Sequence, residues 1–376
     1  MFEPTEYQRR ISLLQQRTRE QGLDAFIVRT DAHVRYLTGV NFISMERPVI
    51  VVVPATGDSS LIVPRMEKEQ LSTAVSVNKV IVYWEVDALP GRGWKEMLFD
   101  TLGAAQRIGI EPLVEADMTV ALAGYQWQVC PILEDMRVIK SPAEVAWTRR
   151  IAHHWTDIMN AILKRVKAGV TLGELMAVAS EANQKIIGNE PAANFLNTRS
   201  IQLYQTAPES GSPHHFAFRA DDVLPNGPTV INAVGAIAHY NAENERTILT
   251  GNYSQQHAEL FDLMQQGQQL ALDLIKPGVP CAEVDLALQH FFAKEGVTEY
   301  LRCRTGHGFG IEPHERPNTS EGSEEVYQPN MIISVEPGLY VDGVGGFRHS
   351  DTVLITEDGI ENFTTGTPKD RASLTF

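Results

Sequence analysis

The sequence predicts an α/β N-terminal domain over residues 1–138 and an α+β C-terminal domain over residues 139–376. Three observations predict this fold class. In the N-terminal part, short apolar runs alternate with helical stretches, as in a layered α/β fold. The segment IKSPAEV then carries a helix-start signal, with Ser141 as N-cap, Pro142 in the first turn and Glu144 after it. Beyond this junction, helices and strand pairs follow each other in the order typical of an α+β domain.

The local pattern of apolar and polar residues predicts the helices and strands of the N-terminal domain. Residues 5–22 predict an amphipathic helix, because Ile11, Leu13 and Leu14 lie on one side and Gly22 is a natural stop. The apolar runs DAFIVRT, PVIVVVP, SLIVP and KVIVYW are each bounded by turn residues or a helix, as expected for buried strands.

The C-terminal elements are longer. Helical stretches are predicted after Ser141, after Thr171, over 254–275 and over 282–294, and strand pairs over 229–249, 331–340 and 346–355. Helices packed on antiparallel strand pairs give the α+β class.

Composition narrows the function classes. The net charge of −15 argues against a nucleic-acid partner, which basic patches would attract. The chain has no apolar run of about 18 residues for a membrane span, and its N-terminus lacks the apolar core of a secretory signal. The three cysteines are odd in number and far apart, which indicates reduced thiols. We therefore expect a cytoplasmic protein acting on a small molecule, with no nucleic acid and no membrane.

Histidines and carboxylates recur beside glycines and strands in the C-terminal half. These residues are His214, His215, Glu243, Glu245, His307, His314, Glu336 and His349. Imidazole is the natural proton shuttle near neutral pH, and a carboxylate can orient it or bind a cationic group. The same residue types suit Mn, Zn, Co or Fe, although neither HExxH nor CxxC spacing is present. Together these histidines and carboxylates predict an active site.

The motifs resemble those of the creatinase, aminopeptidase P and prolidase family, whose C-terminal domain has the pita-bread fold. The resemblance covers nearly the whole chain and rests on VRYLTGV, MERPVIVVVP, VIKSPAEV, PHH, VIN…ERT, GHGFGIEPHERP, ISVEPGLY and GGFRHSDTVLIT. It implies a pita-bread hydrolase with a creatinase-like N-terminal α/β domain.

The resemblance also implies where metals would bind. Family peptidases hold two metals on Asp, Asp, His, Glu and Glu, and the matching positions here are Asn232, Glu243, His307, Glu336 and Ser350. Asn232 and Ser350 are neutral, and the loss of carboxylates weakens the binding of divalent cations. We therefore expect no dinuclear centre and no cofactor. The alternative is Mn, Co or Zn at a degenerate site on Glu243, His307 and Glu336.

Creatinase, a metal-independent member, offers the closer local match. It also has Asn at the position of Asn232, and Glu245 matches its guanidinium-binding glutamate. His215 falls at its catalytic histidine, with His214 adjacent as the alternative. Arg47 matches an arginine that reaches into the partner subunit's site and grips a substrate carboxylate, which implies a homodimer.

These matches predict a metal-independent hydrolase of a non-peptide C–N bond in a carboxylate-bearing guanidino, amidine or cyclic amide acid. His215 would be the general acid and base, and Glu245, Glu336 and His307 would complete the catalytic set. The substrate-binding set would be Arg47, His314, His349, His214, Arg316, Asn232 and Glu243. His349 stands where creatinase has a second substrate-binding glutamate, which argues against creatine itself. The alternatives are an Xaa-Pro aminopeptidase or dipeptidase with an altered metal site, and a catalytically silent binding protein.

Overall fold

Runs of valine, isoleucine and leucine form the central sheet of the first of two units, Met1–Met136 and Arg137–Phe376. The computed structural model describes residues 2–74, 76–85, 87–215 and 218–376. The strands of the first unit are β1 (Ala25–Val28), β2 (Ile50–Pro54), β3 (Ser60–Pro64), β4 (Lys79–Tyr83), β5 (Arg107–Ile110) and β6 (Gln126–Val129). Its helices are α1 (Pro4–Glu20), α2 (Asp31–Thr38), α3 (Lys68–Leu71), α4 (Trp94–Leu102), α5 (Ala116–Ala121) and α6 (Ile132–Val138), the last of which ends in the second unit.

The sheet of the first unit is mixed and runs in the order β4-β3-β2-β1-β5-β6. β2 is antiparallel to β1 and to β3. The other pairs are parallel: β4 with β3, β5 with β1, and β6 with β5. Ile27, Ile50, Ile62 and Ile110 pack with Leu98 of α4 in one buried cluster. This arrangement confirms the predicted α/β class of the N-terminal part.

The second unit combines long helices with antiparallel sheets. Its helices are α7 (Pro142–Leu163), α8 (Leu172–Asn189), α9 (Gln255–Leu274) and α10 (Cys281–Lys294). Its strands are β7 (Arg199–Thr206), β8 (Gly227–Ile237), β9 (Tyr240–Thr250), β10 (Gly306–Gly308), β11 (Glu315–Thr319), β12 (Ile332–Val335), β13 (Gly338–Val341), β14 (Gly345–Arg348), β15 (Asp351–Ile355) and β16 (Ile360–Asn362). The α+β class is confirmed.

Local side-chain signals set the helix starts. Ser141 and Glu144 form a capping box at the start of α7, in which Ser141 Oγ accepts the Glu144 N–H at 3.3 Å. Thr171 and Glu174 form the same motif at the start of α8. Each box satisfies backbone N–H groups that have no partner within the helix. In the described part of the chain, no helix is both long and apolar enough to cross a membrane.

Two sheets of the second unit meet at a backbone bridge. β7, β8 and β9 form one antiparallel sheet, and the other runs in the order β11-β10-β12-β15-β16. Glu245 of β9 and Ser350 exchange two backbone hydrogen bonds, each 3.0 Å long. This bridge brings side chains from β8, β9, β10 and β14 around one cavity.

Candidate functional site

The β8–β9 hairpin contributes a row of polar side chains to the cavity. Asn232 lies opposite Glu245 in the register, and Val234 lies opposite Glu243. Alternate residues of a strand point to the same face. Asn232, Val234, Glu243 and Glu245 therefore share one face of the hairpin, and all four line the cavity.

His307 is held in the middle of the short strand β10. A Cβ on Gly306 would lie 2.2 Å from the Ser334 carbonyl oxygen, and one on Gly308 would lie 2.3 Å from that of Arg316. No side chain fits at such distances, so glycines on both sides of His307 let β10 pass between β11 and β12. Gly306 and Gly308 thus allow the neighbouring strands β11 and β12 to approach β10 closely.

Hydrogen bonds fix the orientation of the His307 ring. Its Nδ1 lies 3.0 Å from the Gly308 carbonyl oxygen. Because a carbonyl oxygen only accepts, Nδ1 carries a proton. Nε2 then faces Glu336 Oε1 at 2.9 Å, and Ser334 Oγ donates to the same oxygen at 3.2 Å. This geometry presents Nε2 as the ligand nitrogen of the ring.

Glu243, His307 and Glu336 form a group that could hold a metal ion. One ligand atom from each lies within 4.8 Å of the other two. One imidazole nitrogen and two carboxylate oxygens are suitable ligands for zinc, manganese or cobalt. The donor set therefore fits one divalent ion.

Charge and burial strongly perturb these three groups. Burial raises the pKa of Glu243 to about 8, and the negative charge of Glu336 acts in the same direction. Burial alone would lower the pKa of His307, but its hydrogen bond to Glu336 and the charge of Glu243 raise that pKa to about 9. Burial alone would raise the pKa of Glu336, but His307 lowers it to about 2. A divalent ion bound at these atoms would displace the protons.

The two neutral positions implied by the resemblance lie against the same carboxylates. Ser350 Oγ donates to Glu243 Oε1 at 2.6 Å. Asn232 is buried, and its Oδ1 accepts no hydrogen bond from the residues that the structure describes. An amide oxygen is neutral and therefore binds a divalent cation less strongly than a carboxylate, and a serine hydroxyl that already donates to Glu243 adds no charge. These residues do not complete a second set of carboxylate ligands.

Arg348 neutralises the third carboxylate of the site. Its Nε donates to Glu245 Oε2 in a short contact, and its Nη1 donates to Tyr340 Oη at 2.9 Å. The charge of Glu245 holds the pKa of Arg348 well above its usual range despite burial, which acts in the opposite direction. Glu245 therefore already has a guanidinium partner within the chain, which argues against its predicted role of binding a substrate guanidinium.

The cavity has a volume of about 1050 Å³ and is lined by three kinds of side chain. Arg348 lies beside the metal-donor group, with its Nε 3.9 Å from Glu336 Oε2. An apolar wall is formed by Ile201, Leu203, Val234, Phe309 and Ile311. Two further arginines, Arg199 and Arg304, also line the cavity, and within the described part of the chain neither forms an ion pair.

The structure distinguishes the two adjacent histidines of the PHH motif. His214 lines the cavity together with His314, whereas His215 is absent from the described lining residues. The His314 ring lies 4.3 Å from that of His307, centroid to centroid. Burial lowers the pKa of His314, and the positive charges of His307, Arg304 and His214 lower it further. His214 is thus placed closer to the candidate chemistry than His215, the predicted acid and base.

The placement of His349 differs from the prediction. Its side chain is fully buried away from the cavity, where Nδ1 accepts the Thr247 N–H at 3.1 Å and Nε2 lies 3.0 Å from the Lys369 carbonyl oxygen. Its ring packs edge-on against Phe261. Burial lowers its pKa to about 3, and the charge of Arg246 contributes. His349 is a neutral core residue and does not contact substrate in this cavity.

The two predicted arginines are engaged elsewhere. Arg316 Nε pairs with Glu325 Oε1 at 3.0 Å. Arg47 belongs to the first unit, where it pairs with Glu46 at 2.7 Å and with Glu67 at 3.4 Å. The substrate-binding roles predicted for both residues remain predictions.

Sequence reasoning missed the arginines of the cavity. Arg348 precedes Ser350 by two residues, so strand alternation could have placed both on the same side. Arg304 stands three residues before His307, close to a predicted site residue. Arg199 gave no local signal, because only the pairing of β7 with β8 brings it to the cavity.

Comparisons with known proteins agree with this architecture. The family model "Metallopeptidase family M24" matches residues 146–357, more than half of the chain, and "Creatinase/Prolidase N-terminal domain" matches residues 10–139. The chain is 27% identical over 355 residues to an Xaa-Pro dipeptidase of Pyrococcus horikoshii, covering 92% of this chain and 93% of the relative. It is also 27% identical to a probable dipeptidase PepE of Mycobacterium tuberculosis, covering 95% and 94%.

Solved structures show the same fold. The dipeptidase PepE of Mycobacterium ulcerans superposes with a TM-score of 0.83 at 26% identity and covers 100% of both chains. The prolidase of Pyrococcus horikoshii superposes with a TM-score of 0.82 at 23% identity and covers 96% of this chain and 99% of its own.

Two predictions are therefore wrong. The creatinase-like, metal-independent hydrolysis of a non-peptide C–N bond is contradicted, because these relatives are dipeptidases and prolidases and the matching family is one of metallopeptidases. The expected absence of a cofactor is contradicted by the same family match and by the donor group of Glu243, His307 and Glu336. The local likeness of Asn232 and Glu245 to creatinase misled the prediction, because it outweighed the similarity of the whole chain.

Proposed function

The chain belongs to the metallopeptidase family M24, and we propose that it is a metal-dependent dipeptidase that hydrolyses Xaa-Pro dipeptides. One observation carries the proposal: Glu243, His307 and Glu336 line a substrate-sized cavity with their ligand atoms within 4.8 Å of one another. The names of the dipeptidase and prolidase relatives support the substrate class.

These three side chains would hold one divalent cation. When bound, the ion supplies Lewis-acid polarisation of a carbonyl and lowers the pKa of a water molecule. The chain itself orients the ligands. The Gly308 carbonyl fixes the His307 ring, and Ser334 Oγ donates a hydrogen bond to Glu336 Oε1. Such supporting hydrogen bonds are worth about 10–100-fold in metal affinity or activity.

His314 is the candidate proton carrier. It lies beside His307 in the cavity and is kept neutral by burial and by the positive charges around it. A neutral imidazole can accept a proton from one group and pass it to another. We assign His314 the transfer of a proton to the leaving nitrogen.

The walls of the cavity favour a dipeptide with a free carboxylate. Ile201, Leu203 and Phe309 offer an apolar surface to the side chain of the first residue and to the ring of proline. Arg199 and Arg304 carry positive charges without ion-pair partners in the described part of the chain. A carboxylate is the natural partner of such a guanidinium. Longer peptides would carry an uncharged amide at this position.

The proposal is tested by measuring proline release from Ala-Pro and Met-Pro. Protein stripped of metal with a chelator should release no proline, and Mn²⁺ or Co²⁺ should restore the activity. His307→Ala and Glu336→Gln should remain inactive with added metal. The controls are His290→Ala and Glu259→Gln, which change exposed residues of α10 and α9.

Two outcomes would contradict the proposal. Stripped protein that turns over Ala-Pro at the rate of metal-loaded protein would refute metal dependence. Metal-loaded protein that binds the ion but cleaves neither dipeptide would refute the substrate class.

A further inference from the structure

We propose that Arg199 binds an acidic side chain on the first residue of the dipeptide, so that the enzyme prefers Glu-Pro to dipeptides with a neutral first residue. The inference rests on the proposed dipeptidase function and deepens it by naming the substrate class. The cavity offers two guanidinium groups without ion pairs in the described part of the chain, those of Arg199 and Arg304. An Xaa-Pro dipeptide with a neutral first residue brings only one carboxylate.

Arg199 stands in the row of side chains next to a metal donor. Strands β7, β8 and β9 place Ile201, Val234 and Glu243 in one row across their sheet. The next row towards the turn between β8 and β9 consists of Arg199, Ala236 and Asn241. Both rows line the cavity. The Cα atom of Arg199 is thus about 7 Å along the strands and about 10 Å across them from that of Glu243. A long side chain at this distance contacts substrate groups that flank the ion position.

Arg199 is fixed at its backbone, while its guanidinium has no partner among the described residues. A Cβ on Gly235 would lie 1.9 Å from the Arg199 carbonyl oxygen, so this glycine lets the start of β7 lie close against β8. In the same row, Ala236 is apolar, and Asn241 Nδ2 donates to the Gly310 carbonyl oxygen at 3.0 Å. The row therefore presents to the cavity one positive charge that the described part of the chain does not pair.

Arg304 lies on the side of the leaving group. Burial lowers the pKa of His314, and the positive charges of His307 and Arg304 lower it further. His314 is the residue assigned to the leaving nitrogen of proline, so Arg304 lies near the end of the substrate that carries the free carboxylate. Arg199 extends from β7, beside the apolar Ile201. The substrate group left for Arg199 is the side chain of the first residue.

The charges of the cavity favour an acid at this position. The carboxylates among the described lining residues all lie at or beside the metal-donor group, and they are Glu243, Glu245 and Glu336. None of them stands in the row of Arg199, so an acidic side chain of the substrate has no competitor there. A lysine side chain would be repelled. Because Arg199 stands a full row from Glu243, the longer side chain of glutamate suits it better than that of aspartate.

The test compares kcat/KM of the metal-loaded protein for Glu-Pro and Gln-Pro, two dipeptides of nearly the same shape that differ in charge. We expect the wild type to favour Glu-Pro by about 10-fold, as a charge-assisted hydrogen bond would. Arg199→Gln should bring this ratio close to one, and Arg199→Lys should keep part of it. Arg199→Glu should reverse the charge preference, so that Lys-Pro becomes a better substrate than Glu-Pro. Arg165→Gln, at an exposed arginine after α7, is the control.

The outcomes separate this inference from the proposed function. A ratio that is the same in Arg199→Gln and in the wild type would overturn the inference. Wild-type protein that cleaves Ala-Pro without favouring Glu-Pro over Gln-Pro would also overturn it and leave the dipeptidase function standing. Metal-loaded protein that cleaves no dipeptide would overturn both. Arg199 is exposed, so its substitution leaves the core intact, and a reversed preference in Arg199→Glu cannot arise from a loss of folding.

Discussion

At the residue scale, Glu336 and His307 organise the site. Glu336 accepts from Ser334 and pairs with His307, while the Gly308 carbonyl fixes the His307 ring. Each contact removes a rotational freedom that a ligand would otherwise have to freeze. The donors are therefore preorganised by backbone and hydroxyl groups, and the ion does not have to assemble them.

Arg304 provides a residue-scale prediction on substrate choice. Arg304→Gln should raise KM for Ala-Pro by about 10–100-fold with little change in kcat, because a charge-assisted hydrogen bond contributes about 1.5–3 kcal/mol. Ala-Pro amide lacks the carboxylate, so its KM should not change. Steady-state kinetics on both substrates measure the difference. Arg165→Gln, at an exposed arginine after α7, is the control. An equal increase in KM for the dipeptide and the amide would show that Arg304 does not bind the carboxylate.

At the element scale, the start of the second unit is tied to its sheet by a buried ionic cluster. Arg137 Nη2 of α6 contacts Glu315 Oε1 at 2.6 Å, and Lys140 Nζ contacts Glu315 Oε2 at 3.1 Å. All three side chains are buried. Burial alone would raise the pKa of Glu315, but Lys140 and Arg137 lower it to about 2. This cluster connects Arg137 and Lys140, which precede α7, to Glu315 at the start of β11.

The depressed pKa of Glu315 predicts how stability depends on pH. The Glu315 carboxylate is ionised above about pH 4.5 in the unfolded chain and above about pH 2 in the folded chain. Its contribution to the free energy of unfolding is therefore complete above pH 4.5 and is lost as the pH falls towards 2. The size of the shift corresponds to about 3 kcal/mol. Urea unfolding should therefore show Glu315→Gln to be less stable than wild type at pH 7, with a smaller difference at pH 3.5. Glu361→Gln breaks a partly exposed pair with Arg149 and should cost at most about 1 kcal/mol. A pH-independent difference for Glu315→Gln would contradict the assignment.

The elements themselves were largely predictable, because their signals are local. Ser141, Pro142 and Glu144 mark the start of α7 within four consecutive residues. The pairing of Glu245 with Arg348 was not predictable in this way, because the two residues are 103 positions apart and meet only through the bridge between Glu245 and Ser350. The inward direction of His349 was missed for the same reason, since its partners Thr247 and Lys369 come from distant segments.

At the scale of the whole molecule, the family resemblance gave the correct fold and the wrong chemistry. Motifs spread over both units predicted the pita-bread architecture, and the family models and solved structures confirm it. The function was assigned from positions that resemble creatinase, among them Asn232, Glu245, His215 and Arg47, and from the neutral residues at two metal positions. The three retained donors are stronger evidence for function than these positions, because the folded chain brings them together. They are Glu243, His307 and Glu336. The cytoplasmic location, the homodimer and the domain boundary at residue 138 remain predictions.

The most direct test of the account is a crystal structure of the protein soaked with Mn²⁺, with anomalous scattering data collected to locate the ion. The account predicts one strong anomalous peak, coordinated by Glu243, the His307 Nε2 atom and Glu336, with the Arg348 guanidinium still bonded to Glu245. A map without a peak among these three side chains would contradict the central claim that they form the metal centre of this peptidase.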